Sequence, residues 1–315
     1  MDGTKQTELI DDINKDSTLK SFVESFNSDN NEKSEEVLIF ISFDLVDSTK
    51  FKNESKYKTI WPNVIMSLYE LLINSMLKIN GHFKIWKYLG DEILFFIPLD
   101  KIKSLHKLPK DIFEIQIEVP VLLKETFKNL IDLIQLKTTI WTADISYISK
   151  DALNPNALKN KNKYIKNIGI ALPSSIDEIL INDFVGTDMD EGFRIAKYAC
   201  HHKIIFSCAF AYLLLKTEVS ADDSILPNIK IVSLKILKGI WNGKHYPIIW
   251  YTPNWDKYND EYIYSEHLTN EMLLNAKENK TEEITFLTKI LTNTPYLNEY
   301  NKFVKKCKNK ALICN

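Results

Sequence analysis

The chain has 315 residues, 45% of them hydrophobic and 26% charged, a composition that fits a soluble globular protein and excludes a collagen-like chain, a disordered chain or a disulfide-stapled miniprotein. Forty basic side chains stand against 42 acidic ones, giving a net charge of -2 and a pI near 6.3, so no general attraction to nucleic acid or anionic lipid is expected. No apolar run approaches the roughly 18 residues of a membrane span, and the opening residues MDGTKQTELIDD are polar and acidic. A cytoplasmic protein with neither a nucleic acid nor a membrane as partner is therefore expected.

Residues 1–35 are polar and close on NSDNNEKSEE, which reads as a flexible arm. Val37 to Phe43, interrupted only by Ser42, is an apolar run of strand length, as a central strand covered on at least one face requires. From Thr59 to Asn80 apolar residues recur with helical period, with Pro62 in the first turn and Gly81 at the end. His82–Leu89 and Glu92–Pro98 are strand-like and separated only by Gly90-Asp91, a tight hairpin signal. A second helix is predicted over Val121–Gln135 and a strand over Thr138–Ile148, rich in β-branched and aromatic residues. Lys150–Lys166, rich in Asn and Lys, reads as a surface insertion. In DFVGTDMDEGFRIAKYA, Phe193, Ile195, Ala196 and Ala199 are expected to share a helix face. A strand at Lys203–Phe206, a helix at Ala209–Leu215 and strands at Ile229–Leu237 and His245–Tyr251 follow. Beyond Asn254 the pattern is charged and helical, at Asn270–Ala276 and Glu282–Leu291 among others, and residues 253–315 read as a helical extension.

Cys200, Cys208, Cys307 and Cys314 show no CxxC spacing, so reduced thiols are expected. His201 and His202 adjoin Cys200, but adjacent side chains diverge on a helix or strand, which argues against a zinc site. Arg194 is the only arginine of a chain that elsewhere uses lysine for positive charge, which points to a position that needs a guanidinium.

Asp44 ends the first strand and precedes Leu-Val-Asp-Ser-Thr at the start of a helix. Taken alone it reads as a helix cap, or as a carboxylate beside backbone amides and the Ser48 and Thr49 hydroxyls that suit phosphate oxygens. The hairpin at Gly90-Asp91 adds a second carboxylate, since strands adjacent in sequence tend to be adjacent in space. Two aspartates on neighbouring strand ends supply the hard oxygen ligands that a pair of divalent ions requires, with open positions left for substrate phosphates.

The runs FISFDLVDSTKFK, WKYLGDEILFF and DFVGTDMDEGFR, followed by LKGI and YPIIWYT, resemble the catalytic domain of the class III nucleotidyl cyclases over about residues 36–252. The resemblance implies that Asp44 and Asp91 hold two ions, manganese or magnesium, with the backbone carbonyl of Leu45 as a further ligand. It implies that Lys87, three residues before Gly90, and Asp183, three before Gly186, face the base. It also implies that Arg194, eight residues after Gly186, stabilises the transferring phosphate of a nucleoside triphosphate. A planar, permanently charged fork complements those oxygens in a way an ammonium does not. The implied fold is α/β of the ferredoxin-like type, a mostly antiparallel sheet with helices on one face. The implied assembly is a head-to-tail homodimer with two shared active sites.

Where mammalian-type cyclases place an asparagine four residues before the arginine, this chain has Asp190, whose role stays open between protonation, metal binding and pairing with Arg194. The form Gly-x-Asp-x-x-x-Gly-Phe-Arg resembles the bacterial Pycsar pyrimidine cyclases, which implies cyclic UMP or cyclic CMP made in response to phage and read by an effector protein. Pairing logic pulls the other way. Lys87 as donor and Asp183 as acceptor suit adenine or cytosine better than uracil. Phe43, Trp86 and Tyr88 are candidates to stack on the base, or core residues. Two other readings are a catalytically silent nucleotide-sensing module, which predicts loss of one of Asp44, Asp91, Lys87 or Arg194, and a polymerase-beta-type nucleotidyltransferase, which needs an Asp-x-Asp pair after a Gly-Ser helix opening. All four residues are present, and no such pair occurs in that setting.

Overall fold

The computed structural model describes residues 35–55, 57–127, 134–147, 166–172, 181–217, 219–258, 288–289, 291–292 and 296–309. In chain order the elements are β1 (Glu35–Leu45), α1 (Ser48–Asn53), α2 (Trp61–Ile79), β2 (Lys84–Leu89), β3 (Glu92–Pro98), α3 (Lys107–Thr126), β4 (Leu136–Tyr147), β5 (Asn167–Leu172), β6 (Ile181–Gly186) and α4 (Thr187–Ala196). They continue with β7 (Ile204–Phe206), α5 (Cys208–Lys216), β8 (Ile229–Ile236), β9 (His245–Tyr251), α6 (Trp255–Tyr258) and α7 (Leu297–Asn309). The described residues fall into two compact units, a larger one within 37–143 and 190–309 and a smaller one within 35–36 and 144–189.

The larger unit is built on strands in the order β2-β3-β1-β4-β7-β9-β8. β3 runs antiparallel to β1 and β2, and β9 antiparallel to β7 and β8, while β4 and β7 are parallel. The first four strands with α2 and α3 form the split strand-helix-strand pattern expected from the sequence, and the α/β class with a mostly antiparallel sheet is as expected. No helix among the described residues is long and apolar enough to cross a membrane.

Coverage of both faces of the strand explains why Val37–Ile41 is apolar throughout. Ile39, Ile41 and Phe43 pair with Ile97, Phe95 and Ile93 and join one core together with Val64, Leu68 and Leu72 of α2 and Ile112, Phe113 and Val119 of α3. The intervening Phe40 points to the opposite face and stacks on Trp141 at 5.4 Å, with Trp86 at 5.3 Å edge-on. Phe193 of α4 completes this second cluster at 5.8 Å from Trp86 and 6.0 Å from Trp141. At Gly192 a Cβ would lie 2.5 Å from the Trp141 ring, so only glycine lets α4 approach this closely. Helices therefore cover both faces, not one, because the α4 segment closes over the aromatic side. Burial of each such ring contributes about 2–3 kcal/mol before the entropy of ordering is subtracted.

The second helix differs from expectation: it spans Lys107–Thr126, not Val121–Gln135, of which residues 128–133 lie outside the described residues. Its buried positions Leu108, Ile112, Phe113, Ile115, Val119 and Leu123 carry helical spacing, but Pro120 interrupts the pattern and masks it in sequence. Gln116 ties this helix to the sheet by donating to the carbonyls of Leu136, Cys200 and Lys203. The helix of the DFVGTDMDEGFR run ends at Ala196, so Ala199 lies beyond it, and Phe193 is half-exposed where Ile195 is fully buried. These two residues lie on different sides because positions two apart diverge on a helix.

In the smaller unit the end of β4 pairs in parallel with β5, and β5 pairs antiparallel with β6. Neither β5 nor β6 is expected from the sequence. Most of the Lys150–Lys166 insertion, together with residues 270–276 and 282–287 of the predicted C-terminal helices, lies outside the described residues. In the larger unit α7 packs on α5, burying Tyr300, Val304 and Cys307, and Tyr212 donates to Asn301 at 2.6 Å.

Candidate active site

The register Phe43↔Ile93 carries the end of β1 up to the β2–β3 turn. There, Gly90 adopts φ +71 and lets the turn close in two residues, since Leu89 pairs with Glu92. Tyr69 of α2 donates its hydroxyl proton to the Gly90 carbonyl and packs on Tyr88 at 4.8 Å, which fixes the turn. Asp44 and Asp91 are thereby brought close enough to interact by hydrogen bonding as well as by charge. Burial pushes Asp44 above the usual carboxylate range; Lys137 works against this and Asp91 adds to it. Burial acts upward on Asp91 too, but hydrogen bonds from Lys52, Ser48 and Asp44 outweigh it and hold that carboxyl below its ordinary value. The two carboxyls are thus shifted in opposite directions, Asp44 upward and Asp91 downward.

Two lysines meet the pair. Lys137 Nζ lies 2.9 Å from Asp44 Oδ2, and Lys52 Nζ lies 2.8 Å from Asp91 Oδ1. Lys137 opens β4, which neighbours β1, and the Val46 amide donates to the Gln135 carbonyl at 2.9 Å, so the start of β4 sits beside the end of β1. A third carboxylate, Glu92, accepts from the Ser42 hydroxyl and is raised by burial despite that bond, with Asp44 adding to the rise. Sequence reasoning assigns no role to Lys52, Lys137, Glu92 or Tyr69. Lys52 stands in the quoted FISFDLVDSTKFK run, whereas Lys137 is linked to Asp44 only through sheet order.

The remaining candidates divide by position. Leu45 is the last residue of β1, buried, next to Asp44. Ser48 turns its hydroxyl to Asp91, while Thr49 is exposed. Lys87 on β2 places its ammonium 4.3 Å from the Trp86 ring centre. Phe43, expected beside the base, is fully buried against Phe95 in the α2 and α3 core, because the alternation that exposes Asp44 turns its neighbour inward. Trp86 is likewise a core residue, and Tyr88 is half-exposed.

Asp183 belongs to the smaller unit, on β6, where its carboxylate accepts from the Phe184 amide at 2.9 Å. Gly186 ends that strand at φ +151, and a Cβ there would meet the Lys166 carbonyl oxygen at 2.4 Å, which accounts for the glycine of the motif. Asn167 then caps the entry to α4, accepting from the Asp188 amide at 3.0 Å and donating to its carboxylate at 2.7 Å. In the larger unit Asp190 and Arg194 stand four apart on the exposed side of α4, and among the described residues neither makes an ion pair.

No group of three or more His, Cys, Asp and Glu side chains among the described residues forms a ready metal cage. The donors that a divalent pair bound mainly by substrate would need are nonetheless here: two carboxylates on adjacent strand ends, with the Leu45 backbone next to one of them. Each of these half-buried carboxylates is already in contact with an ammonium group, Lys137 on Asp44 and Lys52 on Asp91.

The sequence matches no known family profile and no curated protein. Solved structures that match the chain include the adenylyl cyclase CyaB from P. aeruginosa, 12% identical over 70% of this chain and 95% of that one, with a TM-score of 0.49. Others are an adenylate cyclase from Trypanosoma brucei in its monomeric state, 11% identical over 70% and 91% with a TM-score of 0.44, and an adenylate/guanylate cyclase/hydrolase from Silicibacter pomeroyi, 12% identical over 70% and 99% with a TM-score of 0.42.

Proposed function

We propose that the chain is a metal-dependent class III nucleotidyl cyclase that converts a pyrimidine ribonucleoside triphosphate, UTP foremost, into its 3',5'-cyclic monophosphate and pyrophosphate. The observation that carries the reading is the apposition of Asp44 and Asp91 at the end of β1 and the β2–β3 turn, a half-buried carboxylate pair that two ammonium groups already contact. Asp44, Asp91 and the Leu45 carbonyl would hold two manganese or magnesium ions. When bound, these ions would activate the ribose 3'-hydroxyl and neutralise the β- and γ-phosphates. The exposed guanidinium of Arg194 complements charge that develops on the α-phosphoryl oxygens as pyrophosphate leaves, and its fork explains why the chain spends its one arginine here. Lys87 and Asp183 face the base, and Asp190 stands one helical turn before Arg194 on the same side.

The motifs that carry metals and those that carry base and phosphate contacts meet, in this reading, across a two-fold homodimer. The cyclic product is a messenger in anti-phage defence, read by a separate effector protein. A donor at Lys87 and an acceptor at Asp183 favour cytosine or adenine as the second choice of base.

The deciding experiment incubates the protein with all four ribonucleoside triphosphates and manganese and identifies products by mass. Cyclic UMP is the expected product. Cyclic CMP or cyclic AMP would revise the base, and the absence of any cyclic monophosphate would leave the silent nucleotide-sensing module in place.

A further inference from the structure

The buried side of α4 is tied to the C-terminal helix by a continuous line of contacts within the larger unit. Glu191, buried and next to Asp190, accepts a hydrogen bond from the Tyr246 hydroxyl at 2.6 Å. That hydroxyl in turn accepts from the Cys208 amide at 2.8 Å, at the start of α5. The Tyr246 ring lies 4.7 Å from Trp241, and Trp241 also meets Tyr296, stacked at 5.3 Å immediately before α7. Trp241 and Asn242 both adopt left-handed backbone at φ +51, a conformation that a bulky side chain holds only when its surroundings impose it. The two tyrosines supply those surroundings.

We propose that Tyr246 is a positioning residue for Arg194, pinning α4 through Glu191, and that the C-terminal segment holds Tyr246 in place by stacking Tyr296 on Trp241. A buried carboxylate must keep its donor or shift toward water, so the Tyr246 hydroxyl fixes the height of α4 on the sheet. Gly192 against Trp141 fixes its distance from the sheet. Arg194 lies less than one turn beyond both anchors, so release of Tyr246 lets the guanidinium drift from its working position. The C-terminal extension is then part of the machinery that sets turnover, and whatever displaces Tyr296 lowers it.

The catalytic half of this inference rests on the cyclase reading; the pinning of α4 does not. Hydrogen exchange by mass spectrometry on the full chain, with Tyr296→Ala and Tyr246→Phe, tests the pinning. Exchange over Asp190–Ala196 should rise about tenfold in both variants, with β1 and α2 unchanged, and Tyr296→Phe should restore the parent pattern. In turnover, Tyr296→Ala should lower kcat about tenfold while KM for the triphosphate stays within twofold, again with rescue by Tyr296→Phe. Unchanged exchange in α4, or a rise spread equally over the whole chain, would overturn the pinning. Faster exchange with unaltered kcat would overturn the positioning role. A parent that makes no cyclic product, yet whose α4 responds to Tyr296→Ala, counts against the cyclase reading while supporting the pinning. Tyr296→Ala keeps the test open should Tyr246→Phe fail to fold.

Discussion

Lys137 reaches Asp44 at 2.9 Å from the start of β4, so the carboxylate assigned to a divalent ion is already engaged by a cation of the chain itself. Any ion that binds Asp44 must displace this ammonium or share the carboxylate with it. Lys137→Met removes the competitor and leaves the Asp44–Asp91 pair more negative. Manganese should then raise the melting temperature of Lys137→Met by more than it raises that of the parent, by several degrees at equal metal concentration. An equal or smaller shift would show that manganese does not meet Asp44.

Asp44→Asn and Asp91→Asn should each abolish cyclisation, because each removes an anionic ligand from the same pair. The metal-free fold should survive Asp44→Asn with stability unchanged or slightly raised, since burial and the neighbouring Asp91 both disfavour the Asp44 charge. Urea titration without metal checks the second point. Should Asp91→Asn turn over within threefold of the parent in saturating manganese, the paired-ion assignment is wrong.

Arg194→Lys keeps the charge and loses the fork. A turnover loss on the order of 10²–10³-fold is expected, with a smaller change in KM, because the contact grows with charge that develops only as pyrophosphate leaves. Steady-state kinetics with the triphosphate identified above decide it; an unaltered kcat would make the single arginine a structural accident.

Much of this site was legible because its determinants are local. An apolar run ending in Asp44, a two-residue turn at Gly90-Asp91 and a lone arginine are all visible along the chain, and the fold places the first two together through simple strand adjacency. Of the two readings open for Phe43, base contact or core, its full burial favours the core, and the cue stands beside it: if Asp44 faces the open side of β1, strand period requires Phe43 to face the core. Lys137 was not legible in the same way, since its meeting with Asp44 depends on β4 lying beside β1, some 90 residues later in the chain. The extent of α3 was hidden by Pro120, whose lost hydrogen bond is outweighed by the burial of Ile115, Val119 and Leu123. β5 and β6 are short, and their pairing carries no hairpin signal of the Gly90-Asp91 kind.

Stability should fall as pH drops through the mildly acidic range. Burial, with Lys203 adding to it, depresses His201 from 6.5 to about 4, and burial with His201 and Lys203 does the same to His202. Above pH 6.5 both states are neutral and nothing is lost. Between 6.5 and about 4 the unfolded chain takes up protons that the folded chain refuses, so folding is weakened by on the order of 3 kcal/mol for His201 at the lower end. Asp44, pushed upward, acts in the opposite sense, so the measurement is a comparison of parent with His201→Gln at each pH. The parent should lose more of its urea midpoint between pH 6.5 and 4 than the variant does; parallel curves would mean that His201 titrates normally in the fold.

The shared-site dimer predicts complementation between two inactive variants. If each site takes Asp44 and Asp91 from one chain and Lys87 and Arg194 from the other, Asp44→Asn and Arg194→Ala carry lesions in different halves of a site. A mixed dimer then holds one site with both lesions and one with neither. Random assortment makes about half of the dimers mixed, so activity should return to about a quarter of the parent rate per chain once subunits exchange. A site built wholly within one chain cannot recover in this way, because every chain in the mixture carries a lethal change. Exchange must be demonstrated independently, by mass measurement of differentially tagged chains, and mixed dimers without activity would then sink the shared-site arrangement while leaving the assignment of the individual residues to their own single-variant tests.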